Sequence, residues 1–133
     1  MEPVFFDTSA VLALFVPADV SHQEAKQIFA SLRRRTAVLL TTSYVILETY
    51  ALLGRRLGPA AVRTFREDFV PLLEVLWVDP DLHERGLDLF LARSLRDLSL
   101  VDAVSFLVAR AQGIREAFAF DGHFDEEGLK RPG

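Results

Sequence analysis

Four short apolar runs set the limits on what this chain can fold into: Val4–Phe6, Val38–Leu40, Val75–Val78 and Ala117–Phe120. Each is rich in β-branched or aromatic residues, and each is continuous rather than alternating. A strand with one wet face alternates apolar and polar side chains. A continuous run suits a strand covered on both faces, as in a parallel sheet with helices above and below. The segments between the runs supply those helices. Ala25, Ile28, Phe29 and Leu32 follow helical spacing after a cap at Ser21. Val62, Phe65, Phe69 and Leu73 repeat the pattern, with Pro71 expected to end or kink that helix near Phe69. Leu82, Gly86, Leu89, Phe90 and Arg93 mark another face, and Val101, Val104, Val108 and Ala111 a further one, closed by Gly113. Tyr44 to Leu53 is apolar almost all round and reads as a helix buried against the sheet. Strands alternating with helices predict an α/β sandwich with a mostly parallel sheet, whose sites form at the carboxyl ends of the strands.

The 133 residues suit one domain, 1–133, with one hydrophobic core. Half are apolar and 26% are charged, a globular composition. The net charge of −4 argues against nucleic-acid binding by bulk positive charge, though not against an enzyme that carries its positive charge as bound metal. With no cysteine, disulfide scaffolds, thiolate zinc sites and cysteine nucleophiles are excluded. The N-terminus has no basic leader and no apolar run is long enough for a membrane span, so the expectation is a soluble, cytoplasmic protein without a membrane partner.

Four carboxylates stand out. Asp7 follows the first run directly and precedes a helical AVLALF; a plain N-cap explains it, with Thr8 or Ser9 sharing the task, but the position is also the carboxyl edge of the sheet. Glu48 sits mid-helix with Tyr44, Val45, Ala51 and Leu52 at the neighbouring helical spacings and no Lys or Arg to pair with. A buried, unpartnered carboxylate costs several kcal/mol, on the order expected to force neutralisation, long-range pairing or metal binding. The bland alternative places it on a solvent-facing stripe with Thr41 or Arg55. Ser99 and Asp102 have capping-box spacing, which explains Asp102 alone yet leaves its carboxylate available. Asp121 ends the fourth run before Gly122, either as a simple turn or as a second strand-end acid like Asp7; Asp125 is a weaker candidate one turn on.

The set says more than its members. A parallel sheet can bring two strand-end acids, one helix-start acid and one mid-helix acid to a single edge. Four carboxylates cannot stay ionised side by side without cations, and hard divalent ions such as Mg²⁺ or Mn²⁺ suit an all-oxygen site. One or two such ions can activate water and stabilise a leaving oxygen in phosphodiester hydrolysis.

The stretches VFFDTSAVLALF, SYVILETYALL, LSLVDAVSFLVAR and AFAFDGHFDEEG, in this order and across essentially the whole chain, resemble the PIN domains, and within them the VapC-like toxins of prokaryotic toxin–antitoxin pairs. The resemblance implies a three-layer α/β/α sandwich and Mg²⁺- or Mn²⁺-dependent endoribonuclease activity. By position, Asp7, Glu48, Asp102 and Asp121 match the family's acidic quartet. Asp7, Asp102 and Asp121 would hold metal, Glu48 would bind directly or through water, and Thr8 or Ser9 would orient metal or phosphate. It also implies an RNA substrate, a small antitoxin partner and a homodimer. The rival within the same fold is a catalytically silent module that binds RNA or protein.

Other assignments fit less well. A haloacid-dehalogenase-type phosphotransferase needs a second Asp two residues after the first, where Ser9 stands. A receiver domain needs a phosphoacceptor Asp after a middle strand and a prominent late Lys, and Lys130 lies three residues from the end. Candidate RNA contacts are Arg33–Arg35, Arg55–Arg56, Arg93 and Arg96, although the first two groups also suit helix C-termini. His123, alone in a polar loop, reads as a surface residue, and His22 and His83 take no role.

Overall fold

The computed structural model describes residues 2–94 and 96–133. Its four strands are β1 (Pro3–Phe6), β2 (Val38–Thr42), β3 (Leu73–Leu76) and β4 (Glu116–Phe118), in the order β3-β2-β1-β4. All the pairings are parallel: Val4 lies opposite Leu39 and Glu116, and Leu40 opposite Glu74. Chain order runs outward from β1 to β3 and then returns to place β4 on the other side of β1. The first and last strands are therefore neighbours, β1 inside the sheet and β4 at its edge, and their carboxyl ends open side by side.

Helices α1 (Thr8–Phe15), α2 (His22–Arg34), α3 (Ser43–Arg56), α4 (Pro59–Thr64), α5 (Pro80–Arg93), α6 (Leu100–Ala111) and α7 (Gly122–Glu126) cover both faces. Side chains alternate across each strand, which divides the core in two. Val4, Phe6, Leu39 and Phe118 pack with Val11, Ala25, Ile28 and Leu32 of α1 and α2. Phe5, Leu40 and Ala117 pack with Leu82, Val104, Val108 and Phe124 of α5, α6 and α7. This is the expected three-layer sandwich. Phe5, Phe6, Phe118 and Phe65 are fully buried, each contributing about 1.5–3 kcal/mol of transfer free energy. Several such groups offset the several kcal/mol that buried carboxylates cost.

The sequence expectations shift in three places. The Val62–Leu73 periodicity is not one helix: α4 passes into a π-turn at Phe65–Phe69 and a 3-10 turn at Val70–Leu72, and Leu73 already belongs to β3. Pro71 lacks the N–H that continuation requires. The third strand accordingly lies at Leu73–Leu76 and not at Val75–Val78. Helix α2 begins where expected, yet the Ser21 side chain makes no capping bond; its backbone N–H donates to Asp19 Oδ1 instead. Helix α3 is not buried all round, since Leu47 is 68% exposed. It gives Val45 to one core and Ile46 and Leu53 to the other, packing on both α1 and α6. A helix astride the seam between two layers carries its remaining face to the sheet edge, and Glu48 is on that face.

Candidate active site

Three of the four acids are fixed by the start of a helix. Asp7 is the N-cap of α1; its Oδ2 accepts from the backbone N–H of Ser9 at 3.1 Å and from Ser9 Oγ at 2.7 Å. Asp102 completes a capping box on α6: its N–H donates to Ser99 Oγ at 3.0 Å and its Oδ2 accepts from Ser99 N–H at 3.2 Å. Asp121 is the N-cap of α7, accepting from His123 N–H at 3.0 Å. Glu48 projects from α3 six residues beyond its N-cap, Thr42, whose hydroxyl accepts from Val45 N–H.

All four line one cleft of about 270 Å³ at the carboxyl edge of β1 and β4. Asp7 is 4% exposed and Asp102 7%. Burial pushes Asp7 up to about 7; the two Ser9 hydrogen bonds pull the other way, and the charges of Asp102 and Glu48 add to the rise. Burial likewise raises Asp102, against the Ser99 backbone hydrogen bond and with Asp121 adding repulsion. Glu48 is raised by burial first, opposed by the Thr8 hydroxyl and reinforced by Asp102 and Asp121. Three helix N-termini face this cluster, but each is worth only about 0.3–1 kcal/mol to an anion, too little to hold four neighbouring charges. The cleft is short of positive charge.

A hard divalent cation fits that deficit, because its ligands of choice are carboxylate oxygens. Ligand atoms of Asp102, Asp121 and His123 lie within 4.8 Å of one another, so the two carboxylates converge on one point with the His123 ring beside them. A larger cleft of about 480 Å³ lies near β4 and the end of α6, but Glu2, Glu116 and Glu127 in it are paired with Arg115, Arg35 and Arg93 respectively. Its charges are balanced and it lacks the same need.

Thr8 and Ser9 also line the acidic cleft, although their hydroxyls are occupied within the protein. Thr8 Oγ1 lies 2.9 Å from Thr49 Oγ1, and Thr49 donates to Val45 O at 2.7 Å. Ser9 Oγ donates to Asp7 and accepts from Phe120 N–H at 2.9 Å, tying the end of β1 to the chain leading from β4 to Asp121. Thr41 is fully buried and donates to Phe6 O, so no solvent-facing stripe joins it to Glu48. His123 is not a surface residue: its side chain is 11% exposed, and its Nε2 lies 3.4 Å from Asp97 Oδ2 and 3.9 Å from Asp121 Oδ1. Burial disfavours its charged form, but Asp121, Asp97 and Asp102 together hold its pKa above the usual value. Neither Asp97 nor the polar bed of Thr49 carries a sequence signal; a loop Asp two residues before a capping Ser is commonplace. Among the arginines, Arg93 is engaged by Glu127 and Arg35 by Glu116, whereas Arg96 stands exposed on the turn that also carries Asp97.

The sequence pattern of the PIN domain matches residues 4–128. The chain belongs to the PIN-domain family. Its similarity to the 23S rRNA-specific endonuclease VapC20 of Mycobacterium tuberculosis is 38% identity over 127 residues, 95% of each chain. The crystal structure of that VapC20, described as a sarcin–ricin loop cleaving toxin, superimposes with a TM-score of 0.83 at 35% identity over 95% of both chains. FitAcB from Neisseria gonorrhoeae, at a TM-score of 0.69 and 11% identity over 98% of this chain and 96% of its own, shares the fold. PAE2754 from Pyrobaculum aerophilum does so too, at 0.62 and 21% over 98% and 89%. The fold is thus shared across distant sequences.

Proposed function

We propose that this PIN-domain protein is a metal-dependent endoribonuclease, the toxin of a type II toxin–antitoxin pair, acting in the cytoplasm on RNA phosphodiesters. The observation that carries the reading is the convergence of Asp7, Glu48, Asp102 and Asp121 on one cleft, where burial raises the first three carboxyls above their ordinary range. Similarity over nearly the whole chain to a protein named as a 23S rRNA-specific endonuclease supports RNA as the substrate class.

In this reading Asp7, Asp102 and Asp121 hold Mg²⁺ or Mn²⁺, and Glu48 binds it directly or through water. The ion supplies Lewis-acid charge for activating water and stabilising the departing oxygen. The protein's own contribution is preorganisation. Caps and the Ser9 bridge fix the carboxylates before substrate arrives, so little reorganisation remains to be done at the moment of reaction. No side-chain nucleophile is needed. The cognate antitoxin would be a small protein able to cover the cleft, and a second copy of the chain would cover exposed apolar groups such as Leu47 and Trp77, 68% and 75% exposed.

Purified protein incubated with an RNA pool that includes 23S rRNA, in Mn²⁺ or Mg²⁺ and separately in EDTA, tests the reading. Metal-dependent cuts that disappear in Asp102→Asn are expected. Cuts that persist in EDTA or in the variant would overturn it, and absence of any cut would favour a binding module that does not cleave.

A further inference from the structure

Among the described residues, His123 is the one group within ligand distance of the carboxylates that the proposed chemistry leaves without a task. Its Nε2 lies 3.2 Å from the Asp97 carbonyl oxygen. A carbonyl can only accept, so that nitrogen carries the hydrogen and has no lone pair to offer a metal. Nδ1 faces Glu126 at 3.6 Å, one turn along the same helix. The ring is therefore arranged as a strut and not as a ligand.

What the strut joins is specific. Through its backbone N–H, His123 fixes Asp121 Oδ1 at 3.0 Å. Through its ring it grips Asp97, two residues before Ser99, the residue that in turn fixes Asp102. Asp97 itself is a surface residue, its side chain 81% exposed, and Leu98 is the buried anchor beside it. Among the described hydrogen bonds and ion pairs, those of His123 alone connect residues 96–98 to α7. We propose that His123 is a positioning residue that holds the turn before α6 against the start of α7 and so sets the separation of the Asp102 and Asp121 carboxylates. The inference rests on the metal-site reading above. Metal affinity depends on liganding oxygens being held to within about 0.5 Å, and loss of an outer supporting contact typically weakens binding about 10–100-fold.

The test is a Mn²⁺ titration followed by electron paramagnetic resonance on the full chain, comparing wild type, His123→Leu and His123→Gln. Leucine keeps bulk and removes the donor; glutamine returns an N–H near the place of Nε2. His123→Leu is expected to weaken Mn²⁺ binding about 10–100-fold, with cleavage restored at saturating Mn²⁺ so that kcat changes little, and His123→Gln to recover most of the affinity. If the leucine variant does not fold, as judged by its thermal midpoint in EDTA, His123→Ala takes its place. Unchanged Mn²⁺ affinity in the donor-less variant would overturn the proposal. So would nitrogen coupling in the wild-type Mn²⁺ spectrum together with a glutamine variant as weak as leucine, since that pattern belongs to a direct ligand. A wild-type protein that binds no Mn²⁺ would instead defeat the metal-site reading beneath it.

Discussion

Asp7 serves two masters, a helix start and a charge cluster, and the two can be separated by one atom. Asn is as good an N-cap as Asp, and its amide oxygen can still accept from Ser9. Burial pushes the Asp7 carboxyl up to about 7, from an ordinary value of 3.8. In the absence of metal the folded state therefore holds the extra proton between those values, and stability is lost as the pH rises from about 4 through about 7. The directions at Glu48 and Asp102 are the same. Asp7→Asn should accordingly be more stable than wild type in EDTA at pH 8, by an amount on the order of 1–4 kcal/mol, with a higher thermal midpoint and a flatter dependence on pH. A lower midpoint in the variant would mean that the buried charge is not the burden described. Ser9→Ala tests the bridge. It leaves Phe120 N–H without its acceptor and Asp7 with one donor fewer, for a loss of about 1–3 kcal/mol in denaturant titration and weaker Mn²⁺ binding. These acids were legible in the sequence because each stood at a strand end, a helix start or an unpaired mid-helix site. His123 and Asp97 were not, because their meaning depends on two loops 26 residues apart meeting in space.

At the scale of elements, the close approach of α5 and α6 depends on Gly86. A Cβ there would meet Val104 Cγ2 at 2.5 Å, and Val104 is β-branched and fully buried, so it cannot easily turn away. Overpacking costs about 1–3 kcal/mol, more than the roughly 1 kcal/mol that alanine gains over glycine inside a helix. Gly86→Ala should therefore lower the urea midpoint; a raised midpoint would show that the helices can part without penalty. The spacing of apolar residues locates α2, α5 and α6 well, because each lays one face on the sheet. It misleads over Val62–Leu73, where the period of a helix continues through the π-turn and the 3-10 turn into a strand. Phe65 and Phe69 stay in step by stacking at 6.1 Å, so the hydrophobic pattern survives although the hydrogen bonding changes. It misleads again over α3, where apolar residues on most sides signify contact with two layers plus an exposed face, not burial on every side.

At the scale of the molecule, topology turns scattered acids into a site. Forty or more residues separate Asp7, Glu48 and Asp102 along the chain, yet β1 and β4 are neighbours and α3 and α6 meet above their carboxyl ends. Continuous apolar strands announced a covered parallel sheet, and the rule that such sheets bind at their carboxyl edge then indicated where to look. The return of the chain to place β4 beside β1 carries no local signal, since register and strand order are decided by packing between distant segments. With a net charge of −4, a nuclease of this kind depends on its metal to bring RNA phosphate to an acidic edge. A crystal of the protein grown or soaked with millimolar Mn²⁺ and measured at a wavelength where manganese scatters anomalously is the most direct test of that dependence. An anomalous peak among the carboxylates of Asp7, Asp102 and Asp121, lost in Asp102→Asn, is the result expected. An empty cleft in wild type, or a peak only at some other place on the molecule, would contradict the account.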